Sequence, residues 1–464
     1  MRPRPSALVT LAVGLPACLV ACHPAAGPAP APAIPATAGR HHDEVEAQVR
    51  PMLDAELISG IVVGLYDAGR VEVYGFGAGP GHAPPDGNTL FELGPVSSTY
   101  TSILLADAVQ RREVLLDTPV AELLPPGVTM PVRDKQVIVL KDLALHTGGL
   151  PRLPPRIAMR PGAPDPFAGY GEEALYHDLI ATELIAAPGT EMSYSLYSTG
   201  LLGFVLGRKL PGGFAKALEA RVLRPLELTD TFLAVPPARA AQRAAGTTDD
   251  LAPTPAWTFD AMAGAAGLVS SARDQLRLIG QELDAADGAT RGLGRALKLT
   301  QEPQLERAGA NVGLGWMIDP IGRYWHNGST GGFHSFVGFD PKTRRGVVVL
   351  TATSTVLVDR LPDALYKILE GSAPPPPTYL AAAGLAPLAG TYDLSGTKLK
   401  VIVEGKRLYL EGPGEPRHRL AQASEREFWI QALESRAAFD SEGSKVVRLR
   451  FTVGERLLIA PRVD

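Results

Sequence analysis

The feature that most constrains the fold is a segment in which a glycine and a proline lead into an apolar helix. Residues 91–102 read Phe-Glu-Leu-Gly-Pro-Val-Ser-Ser-Thr-Tyr-Thr-Ser, and apolar side chains recur at helical spacing as far as Val109. Proline suits the first turn of a helix, because the N–H that it lacks would have no partner within the helix. We therefore predict a buried helix that starts at Gly94 and carries Pro95 in its first turn.

The elements around this helix predict an α+β domain. Apolar periodicity over 45–58 indicates a helix, and two apolar stretches, 60–66 and 70–74, flank the turn Asp67-Ala68-Gly69 as the strands of a hairpin would. A helix, a hairpin and a second helix are the order expected where helices cover an antiparallel sheet.

The bulk composition indicates a soluble globular protein with a large core. The chain has 464 residues, enough for two or three domains, and 45% of them are hydrophobic while 20% are charged. The formal net charge of -4 gives no electrostatic footprint for nucleic acid, so a polyanion partner is not expected.

The N-terminus predicts export. Arg2 and Arg4 precede an apolar run over 7–15, which is too short to span a bilayer as a stable helix. The run is followed by Leu19-Val-Ala-Cys, which resembles the lipobox of bacterial lipoproteins. We predict a lipoprotein signal peptide over residues 1–21.

Cysteine usage supports lipidation. The chain contains Cys18, inside the leader, and Cys22, at the predicted cleavage point, so the mature chain is expected to hold no disulfide. Acylation of Cys22 would remove an exposed thiol and anchor the protein on the periplasmic side of the bacterial cell envelope. His23, and not an aspartate, follows Cys22. By resemblance to Gram-negative lipoproteins, this favours the outer membrane over the inner. The alternative is an ordinary signal peptide with a coincidental cysteine.

Composition divides the mature chain into four parts. Residues 22–40 are rich in Ala, Pro and Gly and predict an extended tether. Residues 41–371 mix helical and strand patterns, and the prolines of 372–378 indicate a linker. Residues 379–464 alternate polar and apolar side chains around glycine turns such as Glu404-Gly405, which is typical of a small all-β domain.

Five segments of the mixed region resemble the landmarks of one enzyme group, in that group's order. They are Leu115-Leu-Asp-Thr-Pro-Val, Leu143-Ala-Leu-His-Thr-Gly-Gly-Leu-Pro, Pro188-Gly-Thr with Tyr194-Ser, Gly267-Leu-Val-Ser-Ser-Ala-Arg-Asp, and Trp325-His-Asn-Gly with Gly331-Gly-Phe-His-Ser. The group contains class C β-lactamases, D-alanyl-D-alanine carboxypeptidases and related esterases. The resemblance implies a penicillin-binding-protein-like domain, with an antiparallel sheet and a helical subdomain, followed by an accessory β domain. It implies a serine hydrolase ancestry and no metal or cofactor.

The same resemblance places two substitutions at the start of the buried helix. Active relatives carry Ser-x-x-Lys there, and the serine attacks an acyl carbon while the lysine helps to take its proton. This chain has Pro95 and Ser98 at those two positions. Proline offers neither a hydroxyl to attack with nor an N–H to stabilise an oxyanion.

Two further motifs are partly kept. Tyr194-Ser-Leu stands where relatives have Tyr-x-Asn, so Leu196 replaces an amide. His326-Asn-Gly-Ser stands where relatives have Lys-Thr-Gly or His-x-Gly, so it resembles a permitted variant of that motif. We interpret Tyr194 and His326 as remnants of the catalytic set, and Gly328 and Ser329 as ligand-binding, with the Ser329 N–H as the surviving oxyanion donor. The alternatives are a buried structural phenol for Tyr194 and an ordinary strand histidine for His326.

Two functions follow from these residues. The first is a lipid-anchored pseudoenzyme that binds a peptidoglycan fragment or a small acyl compound without cleaving it. The second is an active esterase, D-Ala-D-Ala peptidase or β-lactamase that uses a displaced nucleophile, such as Ser97 or Ser98. The chain has no Gly-x-Ser-x-Gly elbow, zinc-protease motif or phosphate loop that would indicate another chemistry.

Overall fold

The computed structural model describes residues 39–160, 163–307, 310–453 and 456–464. The predicted signal peptide, Cys22 and most of the tether lie outside these residues. Within them, the helices are α1 (His42–Asp54), α2 (Ser97–Gln110), α3 (Leu140–Ala144), α4 (Pro155–Ala158), α5 (Glu172–Ala181), α6 (Leu196–Lys209), α7 (Gly213–Leu218), α8 (Ala263–Ala266), α9 (Ala272–Ala286), α10 (Gly294–Gln301), α11 (Leu361–Leu369) and α12 (Ala382–Leu385).

The strands fall into a mixed region and a C-terminal region. Those of the mixed region are β1 (Gly60–Asp67), β2 (Arg70–Gly77), β3 (Leu90–Glu92), β4 (Val269–Ser271), β5 (Leu305–Arg307), β6 (Ala310–Val312), β7 (Met317–Ile318), β8 (Tyr324–Ser329), β9 (His334–Asp340) and β10 (Arg345–Thr351). Those of the C-terminal region are β11 (Gly390–Leu394), β12 (Thr397–Glu404), β13 (Arg407–Glu411), β14 (His418–Gln422), β15 (Glu427–Ile430), β16 (Ser435–Glu442), β17 (Lys445–Val453) and β18 (Arg456–Pro461).

The main sheet joins the two ends of the mixed region. Its strand order is β2-β1-β10-β9-β8-β7-β6-β5, and every neighbouring pair is antiparallel. The N-terminal hairpin therefore pairs with the last strand, with Val63 opposite Val349. The chain between β2 and β5 forms α2 to α10, and this helical subdomain supplies the core on one face of the sheet.

Strand β1 shows why the sheet is covered on both faces. Side chains of successive strand residues point to opposite faces. Val62 belongs to the core shared with the helical subdomain, whereas Ile61, Val63 and Leu65 belong to a second core beneath α1 and α11. The sheet is thus the middle layer of three, and both of its faces are shielded from water.

Helix α2 lies inside the helical subdomain. Residues 97–108 are all buried, and α2 packs against α6, α8 and α10. A 3₁₀ turn, Gly94–Val96, precedes it, and Pro95 sits in that turn. The predicted buried helix with proline in its first turn is confirmed, although the α-helical hydrogen bonding begins three residues later than Gly94.

The C-terminal strands form a barrel-like sheet. In the described residues it has eight strands, each pairing with the next one along the chain. A bridge between Tyr392 and Arg462 brings the first and last strands together. The predictions of an α+β domain and of a following all-β domain are therefore confirmed.

The first helix differs from the sequence prediction. It spans His42–Asp54 instead of 45–58, because Glu56 adopts a positive φ of 55° that ends the helical path. The hairpins predicted around Ala68 and Gly405 are confirmed. None of the helices in the described part of the chain is long and apolar enough to cross a membrane.

Two arginines hold the all-β domain against the mixed domain. Arg419 is 5% exposed and donates to the carbonyl oxygens of Asp249 and, at 2.7 Å, Glu56. Arg407 donates to the Glu56 carboxylate at 2.9 Å and to the Asp250 carbonyl at 2.8 Å. Buried carbonyl groups need hydrogen-bond donors, and the two arginines supply them. These bonds fix the position of the all-β domain on the mixed domain.

Candidate active site

The start of α2 packs directly against strand β8. A Cβ atom on Gly328 would lie 2.2 Å from the Leu93 carbonyl oxygen, 2.9 Å from the Pro95 nitrogen and 3.0 Å from its Cδ. A Cβ on Gly94, whose φ is +53°, would lie 3.1 Å from the Ser329 nitrogen. Both glycines are therefore needed for this close approach. The structure brings Pro95, Gly328 and Ser329 together.

Pro95 is buried at this contact, and its ring faces β8. Its nitrogen carries no hydrogen, so the residue has no hydrogen-bond donor to offer to the strand. The Ser329 amide lies on the strand side of the same contact. Pro95 therefore offers no N–H donor at this contact, whereas Ser329 has one.

Ser98 and His326 form a hydrogen-bonded pair. The Ser98 Oγ lies 3.2 Å from the His326 Nε2, and the two residues are 1% and 2% exposed. The His326 Nδ1 lies 2.7 Å from the Asn327 carbonyl oxygen, which can only accept. The imidazole therefore carries its proton on Nδ1, and Nε2 accepts from the Ser98 hydroxyl.

His326 is neutral in this setting. Burial lowers its pKa to about 4, although the bond to the Asn327 carbonyl acts in the opposite direction. A neutral imidazole whose N–H is already bonded brings no positive charge to an anionic ligand. Any cation for a carboxylate must come from another residue.

Ser97 is engaged elsewhere. Its hydroxyl oxygen accepts the backbone N–H of Leu268 at 3.0 Å, and the residue is 1% exposed. Its side chain helps to hold α2 against the loop before β4. Of the two serines named as substitute nucleophiles, Ser98 is the one that the structure places beside a possible base.

Tyr194 lies between two histidines. Its ring centroid is 4.6 Å from that of His146 and 6.2 Å from that of His326. Tyr194 is half-buried, and burial raises the pKa of its hydroxyl, so the group is a neutral phenol. Burial lowers the pKa of His146 to about 3, and its Nδ1 lies 3.2 Å from the Ser195 nitrogen. These contacts tie His146 to the loop that carries Tyr194 and Ser195.

Leu196 occupies the first position of α6. Ser195 is the N-cap, and its hydroxyl accepts the N–H of Ser198 at 3.0 Å and donates to the Pro151 carbonyl at 2.7 Å. The cap fixes the loop that carries Tyr194. The Leu196 side chain packs against the main core instead of joining a polar network.

Sequence reasoning missed Arg152. This residue directly follows the motif that ends at Pro151, is exposed, and places its guanidinium 5.6 Å from the centroid of the Tyr194 ring. Such a distance is within the range of a cation–π contact. Arg152 therefore brings a guanidinium cation next to the ring of Tyr194.

The site therefore contains the proline ring at the start of α2, the neutral pair of Ser98 and His326, the neutral phenol of Tyr194 and the exposed guanidinium of Arg152. These groups can donate and accept hydrogen bonds and can attract an anion through Arg152. Within the described residues, no group of three or more His, Cys, Asp and Glu side chains could hold a metal ion.

Comparison with known proteins places the chain in a family. The sequence model of the Beta-lactamase family matches residues 45–371. The chain is 27% identical to a β-lactamase of Escherichia coli (strain K12), over 71% of this chain and 93% of that protein. It is 26% identical to a β-lactamase of Pseudomonas fluorescens, over 66% and 92% of the two chains. It is also 26% identical to the D-alanyl-D-alanine-carboxypeptidase/endopeptidase AmpH of E. coli, over 58% of this chain and 72% of that protein.

The chain belongs to the Beta-lactamase family. The family match begins within α1 and extends past the end of α11, so it includes the start of α2 and strand β8. The predicted membership of the serine β-lactamase-related group is confirmed.

The low pKa of His326 predicts a pH dependence of stability. Between about pH 4 and the ordinary histidine pKa of about 6.5, the unfolded chain binds a proton that the folded chain does not, so the free energy of unfolding rises with pH. Substituting His326→Gln removes this contribution. We expect the wild type to lose about 3 kcal/mol more than the variant when the pH falls from 7 to 4. Urea unfolding of both proteins across that pH range measures the difference. If the free energy of unfolding changed with pH equally in the wild type and in the variant, the low pKa of His326 would be contradicted.

Proposed function

We propose that this protein is a non-hydrolytic member of the Beta-lactamase family that binds a carboxylate-bearing acyl compound, such as a peptidoglycan fragment. The observation that carries the proposal is Pro95, buried at the start of α2 against Gly328. An acyl-enzyme needs a nucleophilic atom at this position, and a proline ring supplies none.

The backbone at the same position adds a second obstacle. A tetrahedral intermediate is stabilised by N–H donors placed in advance, and the removal of one such donor typically lowers the rate by about two to three orders of magnitude. Pro95 has no N–H to give, which leaves Ser329 as the donor at this contact. The loss of the nucleophile and of this donor act on the same step, so their effects do not simply add.

The pair formed by Ser98 and His326 supports a binding role. Ser98 stands where relatives have a lysine, and its hydroxyl is held by a buried, neutral imidazole. Without an ammonium group, the site has no lysine to receive a proton from an attacking hydroxyl. The pair instead satisfies two buried polar groups and stabilises the helix start.

Arg152 supports the choice of ligand. Its exposed guanidinium lies against the half-buried Tyr194 ring, and guanidinium groups bind carboxylates in a bidentate fashion. A peptide that ends in D-alanine carries such a carboxylate, and a relative is named as a D-alanyl-D-alanine carboxypeptidase. We assign Arg152 the recognition of that carboxylate, with Tyr194 beneath it.

The second candidate function is hydrolysis by Ser98. The 3.2 Å contact with His326 Nε2 favours it, because an unprotonated imidazole nitrogen beside a hydroxyl is the arrangement of a nucleophile and its general base. The burial of both residues opposes it, since an acyl carbon would have to reach a hydroxyl that is 1% exposed. This candidate requires α2 or β8 to move.

A penicillin probe tests the two candidates. We expect no covalent adduct when the full chain is incubated with a fluorescent penicillin and analysed by gel fluorescence and intact mass. The double variant Pro95→Ser/Ser98→Lys restores both side chains of the lost motif and serves as the matched gain-of-function comparison. Labelling of the wild type that disappears in Ser98→Ala and in His326→Gln would overturn the non-hydrolytic proposal and establish the second candidate.

Ligand binding is tested with a pair of matched peptides. An N-acyl-D-alanyl-D-alanine peptide should raise the melting temperature of the protein, because a ligand that binds the folded state stabilises it by mass action. Its C-terminal amide should raise it less. The substitution Arg152→Gln should abolish the difference, whereas Arg112→Gln, which removes an exposed arginine at the opposite end of α2, should preserve it. Equal shifts with both peptides in the wild type would exclude carboxylate recognition by Arg152.

We also propose that Cys22 is lipidated and holds the protein at the bacterial cell envelope, on the outer membrane. The support is the apolar run that ends in Leu-Val-Ala-Cys and the Ala/Pro-rich segment that follows it. Expression of the full chain in a Gram-negative host should give a membrane-associated protein that Cys22→Ser releases. A wild-type protein found wholly in the soluble periplasmic fraction would contradict the anchor.

A further inference from the structure

We propose a second ligand site, for a small organic cation, on the face of the main sheet opposite His326. Strand β8 turns His326 toward α2, and its neighbours Trp325 and Asn327 toward α11. A cavity of about 330 Å³ lies on that side, between β8, β9 and α11. Its volume is at the lower end of the range for small-molecule pockets, which is about 300–1,000 Å³.

Three aromatic side chains line this outer cavity. The rings of Trp325 and Phe336 are stacked, with centroids 6.0 Å apart and an interplanar angle of 8°. Tyr366 of α11 forms another wall, and the Arg323 guanidinium lies 4.2 Å from the centroid of its ring. Aromatic faces of this kind attract cations through their quadrupoles and also bury the apolar part of a ligand.

The charged groups of the outer cavity are mainly acidic. Asp319, Asp359 and Asp363 line it together with one guanidinium, that of Arg323, which leaves an excess of two formal negative charges. The Asp363 carboxylate is 3.4 Å from Arg323, and the Asp319 carboxylate accepts two backbone N–H groups. An anionic ligand would meet a net repulsion here.

Hydrogen bonds from two neighbouring side chains fix the carboxylate of Asp359. One of its oxygens lies 2.8 Å from the His334 Nε2, and the other accepts the Asn327 side-chain N–H at 2.9 Å. A carboxylate has about four acceptor sites, so each oxygen keeps capacity for a further donor. The two supporting residues fix its orientation in advance, which lowers the entropic cost of binding an ammonium group.

An unsatisfied hydroxyl provides independent evidence for a ligand. Tyr366 is 3% exposed, and its hydroxyl has no hydrogen-bond partner among the described residues, although it belongs to a residue that lines the cavity. A buried hydroxyl without a partner destabilises the folded protein, and its oxygen can accept a hydrogen bond from an ammonium group, so a bound cation would offset that cost.

These features together select the ligand class. The acidic excess and the aromatic walls favour a cation, the prearranged Asp359 favours a hydrogen-bond donor, and the small volume favours a single ring or a short chain. An ammonium group attached to an aromatic or aliphatic body meets all three requirements. This site uses none of the residues assigned to the carboxylate-binding site, so it stands whether or not the proposed function holds.

Three probes of matched size test the charge selection. Benzylamine, benzyl alcohol and benzoate carry the same ring with a positive, neutral or negative substituent. Titration of the full chain, followed by calorimetry and by the NMR signal of the Trp325 indole, should give an affinity for benzylamine at least about tenfold higher than for benzyl alcohol. Benzoate should bind most weakly. Equal affinities for all three probes, or no perturbation of Trp325 by benzylamine, would overturn the proposal.

Two variants locate the binding in the outer cavity. Asp359→Asn should weaken benzylamine binding by about tenfold and leave benzyl alcohol nearly unchanged, because it removes a charge but keeps the shape. Tyr366→Phe removes one hydroxyl and should weaken benzylamine by about threefold or more while the protein stays folded. Asp117→Asn removes an exposed carboxylate of the helical subdomain and serves as the control. Cation-selective binding that neither cavity variant alters would also refute the site.

Discussion

The complete burial of helix α2 is the constraint on which the rest of the structure depends. Twelve consecutive residues, 97–108, are enclosed by protein, so the sheet and several other helices must be arranged around them. The same burial fixes the start of the helix against β8, where Gly94 and Gly328 allow two backbones to touch. Position 95 is therefore defined by packing, whatever side chain it carries.

That packing also accommodates the residues found at positions 95 and 98. A proline fits the turn before α2 without strain, because the position requires a compact residue and no intrahelical N–H. At position 98, a serine leaves a polar group in a buried space, and His326 satisfies it from the facing strand. The pair is neutral, because burial keeps His326 uncharged.

Strand β8 separates two environments of opposite character. On one side, neutral groups and the guanidinium of Arg152 surround Tyr194, so this side suits an anion. On the other side, carboxylates and aromatic rings line a cavity that suits a cation. The alternation of side chains along a strand makes this possible, because adjacent residues such as Trp325 and His326 face different surroundings.

Local elements and candidate site residues could be predicted from the amino-acid sequence. The proline at the start of a buried helix, the hairpins around Ala68 and Gly405, and the all-β C-terminal region follow from short-range periodicity and turn chemistry. Motif order also brought Pro95, Ser98, Tyr194 and His326 into one hypothesis before any coordinates. The error in the bounds of α1 came from a turn at a residue that has no special turn signal.

The contacts between distant side chains could not be predicted in this way. Ser98 and His326 are 228 positions apart, so their hydrogen bond depends on how the sheet packs against α2. The contact of Arg152 with Tyr194 and the support of Asp359 by Asn327 and His334 likewise join separate elements. Periodicity reports which face of an element is buried, whereas the partner on that face is set by long-range packing, which no local pattern encodes.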